Sequence, residues 1–178
     1  MALKSIIYKA SLQIADMNRH YYHDHNLTIA RHPSETDERM MLRIMVFALN
    51  AHENLMFTKG LSTGGEPDLW LKNLNGDIEL WIELGQPDEK RIRQVCGLSK
   101  RVIIYCYSGS SADIWWRQNS DKLQRFKNLS VFSIRPDNMK DLGNLSQRNM
   151  QLHCNIQENT IWLGNGKSTI EISPVTCK

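Results

Sequence analysis

The chain has few of the features that announce a cofactor, a membrane span or a covalent scaffold. It holds four cysteines in 178 residues, at positions 96, 106, 154 and 177, and no Cys-x-x-Cys pair. That spacing argues against a zinc ribbon or a disulfide framework and fits a reducing, cytoplasmic setting. No apolar run approaches the roughly 20 residues that a membrane helix needs. Met1–Lys9 has no long apolar segment after its first charge, so it reads as the start of a strand and not as a signal peptide. The glycine-bearing stretch 54–66 lacks the Gly-Lys-Ser/Thr of a phosphate loop, so it gives no indication of nucleotide binding. Neither sign of charge dominates, with 22 Lys and Arg against 19 Asp and Glu. A net charge of +3 does not support a bulk polyanion binder but allows a local basic groove. Length and an ordinary apolar content of 41% predict one globular domain over residues 1–178.

What is present concentrates between Gly64 and Arg93. Two strand-like runs, Leu69–Leu71 and Ile78–Leu84, are joined through Asn75-Gly76, a strong hairpin signal. The first begins at Pro67-Asp68 and the second ends at Glu83 and Leu84. A hairpin returns the chain to its start, so Asp68 and Glu83 are expected at one end of the ladder. Two carboxylates there, just before a helix start, are candidates for holding a hard divalent cation.

Around this hairpin the chain alternates strand and helix patterns. Residues 3–15 and 20–31, with turn chemistry at Asp16–Arg19, predict an N-terminal hairpin. Within it, His20, His23 and His25 raise a zinc or phosphate role; a polar outer face on an edge strand is the plainer expectation. Pro33-Ser34 predicts a helix start with Ser34 as N-cap and Asp37 as its capping partner. The apolar spacing of Met41, Leu42, Met45, Ala48 and Leu49 carries that helix to about residue 51 or 53. Glu35 and Glu38 fall on or beside the apolar stripe. Residues 54–66, with Lys59-Gly60 and Gly64-Gly65, read as a loop.

Beyond the central hairpin, Pro87 suits the first turn of a helix, with Asp88 and Glu89 favouring its dipole. Ile92, Val95, Cys96 and Ser99 form its apolar face; Lys90, Arg91, Arg93, Lys100 and Arg101 form a basic exposed face. Residues 102–107 predict a strand covered on both faces, residues 112–126 a helix, and residues 129–134 a strand parallel to the first. Trp115-Trp116 reads as core, not as a base-stacking platform. A short helix over 137–148 and three strand runs at 151–156, 160–163 and 168–172 complete the pattern, the last three as a small antiparallel meander.

Gly65-Glu66-Pro67-Asp68-Leu69-Trp70, the block from Trp81 to Arg91, and His32-Pro33-Ser34-Glu35-Thr36-Asp37-Glu38-Arg39 together resemble the YaeQ family, described as a variant of the PD-(D/E)xK nuclease superfamily. The resemblance covers essentially the whole chain. It implies an α/β fold: a restriction-endonuclease-like mixed β-sheet core flanked by helices, with the N-terminal hairpin and the C-terminal meander attached. It also implies a metal centre. Asp68 and Glu83 would hold magnesium (manganese substituting), with the Leu84 carbonyl as a further ligand. Glu38, with Glu35 as fallback, would orient a metal-bound water.

The superfamily places a lysine two residues after the glutamate. Here that slot holds Gly85. If the site is active, Lys90 is the candidate replacement, Arg91 a weaker one because its pKa is too high for a base, and Gln86 would orient water or a phosphate oxygen. The function expected first is magnesium-dependent hydrolysis of a DNA or RNA phosphodiester. The alternative is a catalytically inactive module that binds nucleic acid, with Arg91 and Arg93 as contacts, or a transcription-related protein partner.

Overall fold

The computed structural model describes residues 3–59 and 64–178. The chain divides into two compact units: residues 1–51, 59–66 and 137–173 form the first, and residues 52–58, 67–136 and 174–178 the second. Among the described residues the fold is mixed α/β, with four helices in all and one mixed sheet in each unit.

The first unit is built on β1 (Ile6–Asp16) and β2 (Tyr21–Arg31), an antiparallel hairpin in the expected place. In β1, Tyr8, Ala10, Leu12, Ile14 and Asp16 are buried in strict alternation, the period of a half-covered strand. The turn is closed by Asp16, whose Oδ1 accepts from the amides of Asn18 (3.0 Å) and Arg19 (3.2 Å). Helix α1 (Asp37–Leu49) is buried from Arg39 through Ala48, so it has no solvent face for most of its length. It starts at Thr36 and not at Ser34: Thr36 Oγ1 accepts from the Arg39 amide at 3.2 Å, while the Ser34 hydroxyl is engaged with His32 Nδ1 at 2.6 Å. Its C-terminal turn has no basic residue of its own, and Arg19 supplies one. Arg19 Nη2 donates to the Ala48 carbonyl of the last turn at 3.3 Å, and its Nη1 to the Ala51 carbonyl just beyond the helix at 2.9 Å. Helix α4 (Asp137–Gly143) ends earlier than its polar sequence implied.

The C-terminal run forms β8 (Asn149–Gln157), β9 (Thr160–Gly164) and β10 (Thr169–Ile172), antiparallel as expected. It is not a separate meander. β8 pairs in parallel with β1, so the first sheet runs β10-β9-β8-β1-β2 and joins the N-terminal hairpin to strands from residues 149–172.

In the second unit the sheet order, from one edge, is β11-β7-β6-β5-β4-β3. β3 (Leu55–Phe57) forms inside the stretch read as a loop; residues 60–63 of that stretch lie outside the described part. β4 (Leu69–Lys72) and β5 (Ile78–Leu84) make the central antiparallel hairpin. Its connection is wider than an Asn-Gly turn. Asn73 Oδ1 accepts from the amides of Asn75 and Asp77, Gly76 alone takes a positive φ (+88°), and the register shifts at Leu71/Lys72. β5, β6 (Ser99–Cys106) and β7 (Leu129–Ser133) run parallel, with α2 (Glu89–Leu98) and α3 (Ser110–Leu123) as the crossovers. β11 (Val175–Thr176) pairs antiparallel with β7, an edge the sequence did not signal.

The core under α2 and α3 comprises Trp81, Ile92, Val95, Val102, Ile104, Trp115, Leu123 and Val131, among others. Trp115 also donates its indole N–H to the Pro87 carbonyl at 2.9 Å, so it is a core residue with a satisfied polar tip. Ser99, Lys100 and Arg101 belong to β6 and not to α2, because the chain turns extended immediately after Leu98.

Candidate functional site

The central hairpin fixes both acids of the candidate site. Leu69 pairs with Ile82, so the residue before the one and the residue after the other stand at the same end of the ladder. Asp68 is 5% exposed and is held from three sides. Its amide donates to the Ile82 carbonyl (3.0 Å), its carbonyl accepts from the Thr58 amide (3.2 Å), and its Oδ2 accepts from the Leu84 amide (2.8 Å). The Thr58 hydroxyl also donates to the Pro67 carbonyl. Asp68 therefore pins the start of β4 to the end of β5.

Glu83 lies two residues after Trp81 on the same strand, so the two side chains share a face. Both its oxygens are engaged. Oε1 accepts from Arg91 Nε at 2.6 Å, and Oε2 accepts from the Trp81 indole N–H at 3.3 Å. The Arg91 guanidinium lies 5.6 Å from the centre of the Trp81 ring. Arg91 is thus half-buried between an indole and a carboxylate, and not part of an exposed basic face. Helix α2 positions it. Asp88, and not Pro87, opens the helix: Asp88 Oδ1 accepts from the Arg91 amide at 2.8 Å, which sets the first turn against the end of β5.

The remaining expected residues have other roles in the geometry. Gln86 donates to Ser111 Oγ at 2.9 Å and ties the loop after β5 to the start of α3. Lys90 is exposed and forms no ion pair or hydrogen bond among the described residues. Arg93 is exposed and reaches Glu89 at 3.3 Å. Gly85 adopts φ +116°, a backbone conformation that side-chain-bearing residues rarely take, although a Cβ there would meet nothing within 4 Å. The absence of lysine at this slot is therefore built into the main chain.

Glu38 belongs to the first unit. Its side chain lies over α4, where a Cβ on Gly143 would come within 2.8 Å of Glu38 Cγ. Glu35 is fully buried and is not positioned as a water-orienting acid. Its Oε1 accepts from Arg43 Nε (2.9 Å) and Arg39 Nη1 (3.1 Å), and its Oε2 from Arg43 Nη2 (2.7 Å). The spacing Glu35–Arg39–Arg43, in steps of four, was a readable helix-face signal for this trio.

β2 is an edge strand, as expected, and on it His23 is exposed while His25 is half-buried. Their rings stand 6.4 Å apart, Tyr21 Oη is 2.7 Å from His25 Nε2, and His25 meets Phe47 of α1 edge-on at 5.1 Å. Burial, and then the neighbouring His23, hold the His25 pKa below its ordinary value, against a weaker opposing pull from Asp24. All four cysteines are free thiols; burial pushes Cys106 and Cys154 up to about 12 and Cys96 to about 11.

Among the described residues no three His, Cys, Asp or Glu side chains gather in a way that would hold a metal ion. At Glu83 the positive partner is already a guanidinium. Both oxygens of Glu83 and the Oδ2 of Asp68 accept hydrogen bonds from the protein itself. No described helix is long and apolar enough to cross a membrane.

The family model for the YaeQ protein matches residues 1–174. The chain belongs to the YaeQ family. It is 44% identical over 173 residues to the uncharacterized protein YaeQ of Escherichia coli K12, covering 97% of this chain and 96% of that one. Against the YaeQ protein of Salmonella typhi the identity is 45% over 172 residues, with 97% and 95% covered. Among solved structures, the YaeQ protein from Xanthomonas axonopodis pv. citri superposes with a TM-score of 0.94 at 40% identity, over 97% of each chain. That from Pseudomonas syringae gives 0.93 at 30% identity, over 98% of this chain and 96% of the other. The mixed α/β architecture, with its two sheets and four helices, is thus the YaeQ architecture. In this chain the Glu83–Arg91 pair and the Asp68–Leu84 hydrogen bond lie at the end of the central hairpin.

Proposed function

We propose that this YaeQ protein is a nuclease-like module of PD-(D/E)xK type that binds nucleic acid without hydrolysing it. The restriction-endonuclease-like part is the second unit. An antiparallel hairpin carrying Asp68 and Glu83 leads into a parallel β5–β6–β7 run with helical crossovers, the arrangement that the sequence blocks imply. The observation that carries the inactive reading is the closure of Glu83 by Arg91 at 2.6 Å, beside a lysine slot whose backbone suits glycine. A guanidinium cannot act as a base at neutral pH, and it stands where a cation would otherwise meet the carboxylate.

The second reading, magnesium-dependent phosphodiester hydrolysis, is favoured by one fact: both acids stand at the same ladder end. It requires Arg91 to leave Glu83. A divalent ion bound there would polarise the phosphate and lower the pKa of a bound water. In that reading Lys90, exposed on the first turn of α2, is the residue available to assist.

One experiment separates the two. Labelled duplex DNA and single-stranded RNA are incubated with wild type and Asp68→Ala in magnesium or manganese at low salt, with binding and cleavage read from the same samples. The inactive reading expects a mobility shift and intact substrate. Cleavage by wild type that disappears in Asp68→Ala overturns it. A partner of the transcription machinery remains the outcome to pursue if neither binding nor cleavage is seen.

A further inference from the structure

The net charge of the protein resides in one of its units. The second unit holds twelve Lys and Arg against nine Asp and Glu, while the first is balanced at ten of each. Within the second unit the basic side chains are not evenly spread. Three of them, Arg93 of α2, Lys122 of α3 and Arg125 in the turn after α3, converge on a single carboxylate. Glu89, the first residue of α2, accepts at Oε1 from Arg125 Nη2 (2.6 Å) and Arg93 Nη2 (3.3 Å), and its Oε2 lies 3.7 Å from Lys122 Nζ. Three cations on one anion leave two positive charges in excess. The side chains of Arg93, Lys122 and Arg125 are 62%, 60% and 54% exposed, so the excess faces solvent. Arg125 is further held with its guanidinium 4.8 Å from the centre of the Phe126 ring. Lys90, exposed on the same first turn of α2, adds a fourth cation without an ion pair among the described residues.

We propose that this cluster, Arg93, Lys122 and Arg125 gathered around Glu89, is the surface that takes the phosphate backbone of a nucleic acid, and that Glu89 is an internal anion that attenuates the contact. The inference rests on the binding reading above and names the surface for it. A small anion is a poor fit, because the Glu89 carboxylate already occupies the point of convergence. An extended polyanion fits, since duplex DNA carries about one charge per 1.7 Å of axis and meets several outward-facing cations at once. Binding of this kind is driven by release of counterions, so removing a contacting cation lowers both the affinity and its dependence on salt.

The test is fluorescence anisotropy of a labelled 20-base-pair duplex with the full chain, between about 50 and 200 mM salt, where such contacts change affinity steeply. The double variant Lys122→Ala/Arg125→Ala is expected to bind several-fold more weakly, with the slope of log K against log salt reduced by roughly two. Lys122→Gln alone should move both in the same direction, and serves if the double variant melts early. Glu89→Gln is expected to bind more tightly than wild type. Glu53→Gln, which changes net charge equally but lies just before edge strand β3, should gain less. The proposal fails if the double variant keeps wild-type affinity and slope, or if Glu89→Gln gains no more than Glu53→Gln. Salt-sensitive binding that survives the double variant removes this surface alone. A wild type that binds no duplex at the lowest salt removes the binding reading together with it.

Discussion

Glu83 shows how a single carboxylate changes role with its neighbours. Its position at the end of β5 was legible from the hairpin, but its partners were not, because Arg91 lies eight residues on and reaches back only through the first turn of α2. Replacing Arg91 by Met leaves Glu83 half-buried beside Trp81 without its charge partner. A loss of about 1.5–3 kcal/mol in urea unfolding is expected, the range for a hydrogen bond to a charged group. Gly85 was legible as a departure from the family pattern, and its φ of +116° gives the departure a physical cause. Gly85→Lys should cost roughly 1–3 kcal/mol through backbone strain and confer no cleavage. His25 makes a further prediction. Its pKa is lowered in the folded state, so protonation favours the unfolded chain, and stability should fall as pH drops below about 6.5, the ordinary value. Melting temperatures followed from pH 7.5 to pH 5 should decline more in wild type than in His25→Gln.

At the scale of elements, periodicity located β1, β2, α1, the central hairpin, α2 and the β6–α3–β7 crossover. It misplaced their ends where side chains decide. Thr36 outcompetes Ser34 as cap because His32 already holds the Ser34 hydroxyl. β3, three residues long, and β11, two, carry too few side chains to show an alternation. Helix α1 looked amphipathic but is buried from Arg39 through Ala48, and Glu35, just before the helix, makes its Arg39 and Arg43 tolerable. Glu35→Ala would strand Arg43, which is fully buried, and should destabilise by about 3–5 kcal/mol, as removal of one member of a buried pair does. The contact of α1 with α4 makes a separate prediction. Gly143→Ala places a methyl within 2.8 Å of Glu38 Cγ, so the Glu38 side chain must move, and thermal unfolding should report a loss of about 1–3 kcal/mol, typical of overpacking.

At the scale of the whole molecule, the mixed α/β class followed from the alternation of strand and helix patterns, but the sheet order did not. The parallel pairing of β1 with β8 joins residues some 140 apart in sequence, and no local pattern encodes which strand edges meet. Unequal division of charge between the units was likewise hidden in a net value of +3, since it becomes visible only once the fold assigns each residue to a unit. The central claim is that Arg91 holds the place a cation would need. Titration of Mn²⁺ into the protein, followed by its electron paramagnetic resonance signal, tests this most directly. The account predicts no stoichiometric binding to wild type. A single saturable Mn²⁺ site in wild type that vanishes in both Asp68→Asn and Glu83→Gln would contradict it.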